Sequence, residues 1–181
     1  MKATSNLNQH VAALQPMNAI TILRSAIERV RESRLFATER GYQGQLASEL
    51  DRLLDVESGG FTRPLVEQEY QKRADVHGIT LRPDIVIHIP YDRGVSPSRR
   101  HDNYLVILFK LSAKQRLADE DFTKLSTICS RLDYPIGAFL NIASTDLWLP
   151  SFAAKAGKSF ALHEFAISLR DGRPHIRTAT A

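Results

Sequence analysis

The sequence predicts a mixed α/β fold of the α+β kind, a central mixed sheet with helices on its faces, in the order helix, helix, three strands, helix, strand, strand. Three observations carry that expectation. A chain of 181 residues, 43% hydrophobic and 24% charged, has the size and balance of one globular domain. Its apolar residues recur at three- and four-residue spacing as far as Leu54, change to short β-type runs after Pro64, and return to helical spacing from Phe122. Finally, Ile136 to Ala143 is an almost wholly apolar run, the pattern of a central strand covered on both faces.

Residues 1–17 are polar, show no sustained period and end near Pro16, so they read as a mobile arm or a short extra helix, with 18–181 as the single domain. From Asn18, a plausible N-cap, Ile20, Leu23, Ile27 and Val30 form the stripe of an amphipathic helix. A second helix begins after Gly41 or Gly44, carries Leu46, Leu50, Leu53 and Leu54 on one stripe with Glu49 at its edge, and ends before Gly59-Gly60. Runs at Leu65–Tyr70, Leu81–Ile89 and Tyr104–Leu111 follow as an antiparallel meander. The stretch Pro90–Asn103 holds Gly94, Pro97, Arg93, Arg99 and Arg100 and reads as a mobile basic loop, a candidate contact surface for phosphates.

Helical spacing resumes with Phe122, Leu125, Cys129 and Leu132 after the acidic start Asp119-Glu120-Asp121, and Pro135 closes the helix. A helix of that length can cross the sheet and set the next strand parallel to a neighbour. Ser159–Leu169 makes a further strand, and Asp171-Gly172 turns it into a short last one around His175–Thr178.

Composition excludes several functions. No apolar run approaches the roughly 18 residues that span a bilayer, so no membrane role is expected. The N-terminal residues lack an apolar core with a cleavage site, which makes the cytoplasm the default location. Cys129, the single cysteine, can form neither an internal disulfide nor a thiolate zinc cluster. The six histidines include no HExxH pattern. Gly157-Lys158-Ser159 resembles the end of a phosphate loop, but Phe152 stands where that pattern requires glycine. A net charge of +4 permits a polyanion partner without requiring one, and Arg170, Arg173 and Arg177 are further phosphate-contact candidates whose plainer account is solvated surface.

Two charged residues sit where a strand should be apolar. Asp84 opens Asp84-Ile85-Val86-Ile87-His88, and Lys110 ends Leu105-Val106-Ile107-Leu108-Phe109-Lys110. Alternation puts Asp84, Val86 and His88 on one face and Leu108 with Lys110 on one face. Taken singly, Asp84 is a turn acid and Lys110 a lysine whose ammonium reaches water from a strand end. Taken together with the element order, the Glu49 helix, the strand opening Pro83-Asp84 and the strand ending Leu108-Phe109-Lys110 resemble the restriction-endonuclease-like PD-(D/E)XK family over roughly Gly44 to Ala143. That resemblance implies an αβββαβ core, a magnesium-dependent phosphodiesterase activity, a nucleic-acid partner with DNA favoured over RNA, and the homodimeric state in which such folds often work. It also implies roles. Asp84 becomes the acidic metal ligand, Lys110 the lysine that positions or activates water, and Glu49 the helix acid. Magnesium suits such a set because it is hard and takes carboxylate, water and phosphate oxygens.

The family pattern fails at Leu108, where the glutamate of the ExK triplet belongs. Leucine cannot ligate a metal. Three accounts stay open: a degenerate member that binds nucleic acid or protein with little or no hydrolysis, a site in which Glu69 or Glu67 replaces the missing acid, or an altered residue at 108. Glu67 and Glu69 alternate with Val66, Gln68 and Tyr70 and so share a strand face, as ordinary surface acids or as parts of a rearranged site. A reading from another class is a protein-interaction module using the basic loop and the C-terminal segment.

Overall fold

The computed structural model describes residues 16–58, 64–69, 80–90, 102–152 and 160–181. Among them are three α-helices, α1 (Pro16–Arg29), α2 (Glu39–Ser58) and α3 (Gln115–Leu132), and six strands, β1 (Leu65–Gln68), β2 (Ile85–His88), β3 (Asn103–Leu111), β4 (Ile136–Ile142), β5 (Ala161–Arg170) and β6 (Arg173–Thr180). None of these helices is long and apolar enough to cross a membrane.

The strands form one mixed sheet in chain order, β1 to β6. β1, β2 and β3 are an antiparallel meander; α3 then crosses over so that β4 lies parallel to β3, β5 continues parallel, and β6 returns antiparallel. Strand alternation sorts the core into two. Ile85, Ile87, Leu105, Ile107 and Phe109 face α1 and α2, where Leu23, Ile27, Leu46, Leu50 and Leu54 meet them. Val86, Val106, Leu108 and Phe139 face α3, against Phe122, Leu125 and Cys129. Burial pushes the Cys129 thiol up to about 12, as expected of a core cysteine rather than a reactive one.

Several boundaries differ from the sequence expectation, each for a local reason. Pro16 is the first residue of α1, because proline's fixed φ suits a helix start where its missing N–H goes unused; residues 1–15, most of the expected arm or extra helix, lie outside the described residues. α2 begins at Glu39 and includes both Gly41 and Gly44. Its start is capped by Thr38, whose Oγ1 accepts from the Gly41 amide at 3.1 Å, an approach that a Cβ on Gly41 would block at 2.7 Å. β1 stops at Gln68 because Glu69 takes a left-handed backbone, φ 50°. β2 is only four residues long, so Asp84 precedes the strand instead of sitting in it. α3 starts at Gln115, four residues before the acidic triplet, and ends on Asp133 with a left-handed φ of 56°. The last strand is longer than expected, eight residues.

Gly137 on β4 lies under α3, and a Cβ there would stand 3.0 Å from both Cys129 Sγ and Leu162 Cδ2. Gly137→Val is therefore expected to overpack the layer at a cost of about 1–3 kcal/mol, read as a lower urea midpoint with an unchanged m-value.

Candidate functional site at one end of the sheet

Because β3, β4 and β5 are parallel and β2 runs against β3, the start of β2 and the ends of the three parallel strands share one end of the sheet. Asp84 and Lys110 are both placed there. Asp84 Oδ2 accepts from the Phe109 amide at 2.7 Å, supplying the partner that β3 lacks where β2 ends. The Asp84 carbonyl accepts from Gln43 Nε2 on α2 and from the Glu69 amide, both at 2.8 Å. Three elements therefore hold Asp84 in place.

Lys110 faces acids that the sequence did not single out. Its Nζ lies 3.7 Å from Glu39 Oε2, at the first turn of α2, and 3.8 Å from Asp121 Oδ2, on α3. Both separations exceed hydrogen-bond length, so these are loose ion pairs. Glu39 Oε1 accepts from the Leu111 amide at 3.1 Å, and Asp121 Oδ1 pairs with Lys124 Nζ at 2.6 Å. Asp121 Oδ2 is buried with no hydrogen-bond donor among the described residues, on a residue only 2% exposed. An orphaned oxygen on a buried carboxylate is costly and calls for a reason.

The electrostatics of Asp84 follow from this crowding. Burial holds its carboxyl above the usual carboxylate range; the Phe109 amide and the Lys110 ammonium pull it down, while Glu39 and Asp121 push it up. Three carboxylates (Asp84, Glu39, Asp121) against two ammonium groups (Lys110, Lys124) leave the cluster one negative charge in excess. These are hard oxygen donors, suited in kind to magnesium. Their number is short: among the described residues, no three His, Cys, Asp or Glu side chains group closely enough to hold a metal ion. Leu108, 5% exposed and two residues before Lys110, contributes only hydrocarbon, packed towards α3.

The remaining predicted residues fall elsewhere. Glu49 is ten residues along α2 from Glu39, about 15 Å at 1.5 Å per residue, and pairs with Arg52 at 2.9 Å and Arg29 at 3.8 Å. Glu67 does point to the face of Val86, but its Oε2 meets His88 Nε2 at 2.9 Å. Glu69, turned away by its left-handed backbone, pairs with Arg40 at 3.0 Å and also with Arg82. Hydrogen bonding from Arg40 and the Arg82 charge hold its carboxyl below the usual range. The two glutamates thus do not share a face, contrary to the sequence expectation. Arg93, Arg99 and Arg100 lie outside the described residues.

Two residues position the site from behind. Asn141, fully buried beside Lys110 in register, accepts from the Ala113 amide at 2.7 Å and donates to Ser144 Oγ at 3.0 Å, pinning the turn between Lys110 and α3. Trp148 Nε1 donates to the Ala113 carbonyl at 3.0 Å on the same turn. Glu164, the one fully buried glutamate among the described residues, lies in the register row of Leu108 two strands away, about 10 Å. Its oxygens are committed to the Trp148 and Leu149 amides at 2.7–3.0 Å, so it serves the 149–151 turn and not the Lys110 cluster. Searches of protein-family models, curated proteins and solved structures find nothing that matches this chain.

Proposed function

We propose that this chain is a restriction-endonuclease-like protein that binds nucleic acid and hydrolyses it weakly or not at all. The observation that carries the reading is the placement of Asp84 and Lys110 at one end of the sheet, where the Lys110 charge acts on the Asp84 carboxyl, with Leu108, two residues before Lys110, packed towards α3. The connectivity supports it: a helix, a three-strand meander, a crossover helix and a parallel strand make the αβββαβ order that the sequence resemblance implies. The cluster's excess negative charge repels phosphate unless a cation intervenes. Asp84 and Asp121 would hold magnesium, which commonly takes one or two carboxylates and completes its shell with water and substrate phosphate. Bound there, the ion would neutralise phosphate charge and polarise the scissile bond. A shell missing the carboxylate of position 108 binds that ion weakly.

Incubation with DNA and RNA in magnesium and in manganese tests this directly. Binding without appreciable cleavage is the expected result; rapid cleavage abolished by Asp84→Ala would defeat the weak-hydrolysis reading. Nucleic-acid affinity that does not change with salt would instead favour a protein partner.

A second reading, an active magnesium-dependent endonuclease with a displaced acid, is favoured by Asp121 Oδ2, which receives no hydrogen bond among the described residues and faces Lys110 only at 3.8 Å. It requires the displaced acid to be Asp121, not Glu67 or Glu69. Cleavage lost in Asp121→Asn but retained in Glu69→Gln is its signature.

A further inference from the structure

At the far side of the sheet from Lys110, α1 and β6 enclose a groove of about 260 Å³ lined by Arg24, Glu28, Arg31, Arg173, Pro174 and Ile176. The three arginines are exposed, and Pro174 and Ile176 form a half-buried floor. The lone acid is already engaged: Glu28 Oε1 accepts from Arg24 Nε at 3.3 Å. Arg31 Nε donates to the Glu28 carbonyl at 3.1 Å, which fixes its stem while leaving its terminal nitrogens unassigned. The Arg173 side chain has no hydrogen bond or ion pair among the described residues. Three guanidinium groups whose terminal planar donors have no other partner among the described residues, set around a concave floor with one internally satisfied carboxylate, match a phosphodiester in both charge and geometry.

We infer that this α1–β6 groove binds the phosphate backbone of the nucleic acid whose other end reaches the Asp84–Lys110 cluster. Lys110 is in register with Asn141, Asn141 with Ala166, and Ala166 with Arg177, so Arg173 lies three strands across and four residues further outward. At about 4.8 Å per strand and 3.3 Å per residue the offset is roughly 14 by 13 Å, a diagonal near 20 Å. About six nucleotide steps at 3.4 Å cover that in-plane offset, and a strand longer than that rounds the sheet end from the α1 face to the α3 face. The acidic cluster repels a polyanion when no cation is present, and the groove supplies an attraction that needs none. The inference rests on the reading of the chain as a nucleic-acid binder.

Fluorescence anisotropy with labelled single-stranded and duplex oligonucleotides, between about 50 and 200 mM salt and without divalent ions, tests it. Arg24→Ala/Arg173→Ala is expected to weaken binding and to reduce the slope of log K against log salt by about two, one for each lost phosphate contact, while Arg24→Lys/Arg173→Lys keeps the slope. These exposed positions leave the melting temperature unchanged. An unaltered slope in the alanine pair, with normal wild-type binding, overturns the groove but not the proposed function. A wild-type protein that binds no oligonucleotide overturns both. Displacement of the oligonucleotide by inorganic phosphate at constant ionic strength, lost in the alanine pair, marks a free-phosphate site and overturns the backbone assignment.

Discussion

Leu108→Glu is expected to lower stability sharply in metal-free buffer and to create a divalent-metal dependence that the parent protein has only weakly. Position 108 is 5% exposed, so a carboxylate there is taken out of water beside Asp84 and Asp121 with Lys110 already shared. An uncompensated charge at such a site costs on the order of 3 kcal/mol. For a chain of this size, that is a fall in melting temperature of about 6–12 °C. Magnesium or manganese should restore much of it, since a ligand at 100 times its Kd adds about 2.7 kcal/mol to the folded state. The same variant should acquire metal-dependent cleavage of DNA that Asp84→Ala removes. A melting temperature of Leu108→Glu indifferent to manganese would show that the three acids do not converge on one ion.

Asp84 separates two roles that its two conservative replacements distinguish. Its carboxyl is held above the ordinary range, chiefly by burial, so the folded protein keeps the proton at pH values where the unfolded chain has lost it. The contribution of Asp84 to stability therefore declines as pH rises from the ordinary carboxylate value through the raised folded one. Above that, the cost of the buried charge is fully present. Asp84→Asn removes the charge and keeps an oxygen for the Phe109 amide, so it should be at least as stable as the parent at pH 7 and should flatten this part of the pH profile. Asp84→Ala strands that amide instead, at a cost of about 1–3 kcal/mol relative to the asparagine variant. Urea titrations that start at about pH 3, below the ordinary carboxylate value, and run upward through neutral pH read both effects. Metal-dependent affinity for nucleic acid should fall in both variants alike. If Asp84→Asn proves less stable than the parent at neutral pH, the attraction of Lys110 outweighs the cost of burying the carboxylate and the cluster is not short of cations.

How legible this arrangement was depends on the range of the interactions involved. The core stripe of α3, with Phe122, Leu125, Cys129 and Leu132, follows from helical periodicity, which is local. Strand alternation likewise put Lys110 and Leu108 on one face. Asp121 carries a usable signal in the sequence. It occupies the apolar stripe between Ala118 and Leu125, yet the triplet Asp119-Glu120-Asp121 resembles an acidic helix start, because the true start at Gln115 carries no acid in its first turn. Glu39 is hidden in the sequence by the two glycines behind it, which point to a later start for α2 although Thr38 caps the helix ahead of them. Glu67 and Glu69 misled in the opposite sense, since one left-handed residue breaks the two-residue period on which their shared face depended.

By itself the sequence determined the two-sided core, the strand-helix order and the placement of an acid and a lysine at strand ends, because each depends on spacing along a few consecutive residues. Only the tertiary structure decided which acids surround Lys110. Glu39 and Asp121 reach it from helices on opposite faces of the sheet, 71 residues before and 11 residues after it in the chain. How far along its strand or helix each residue stands when those layers pack is a property of the whole core. That is why Glu39 rather than Glu49 reaches Lys110.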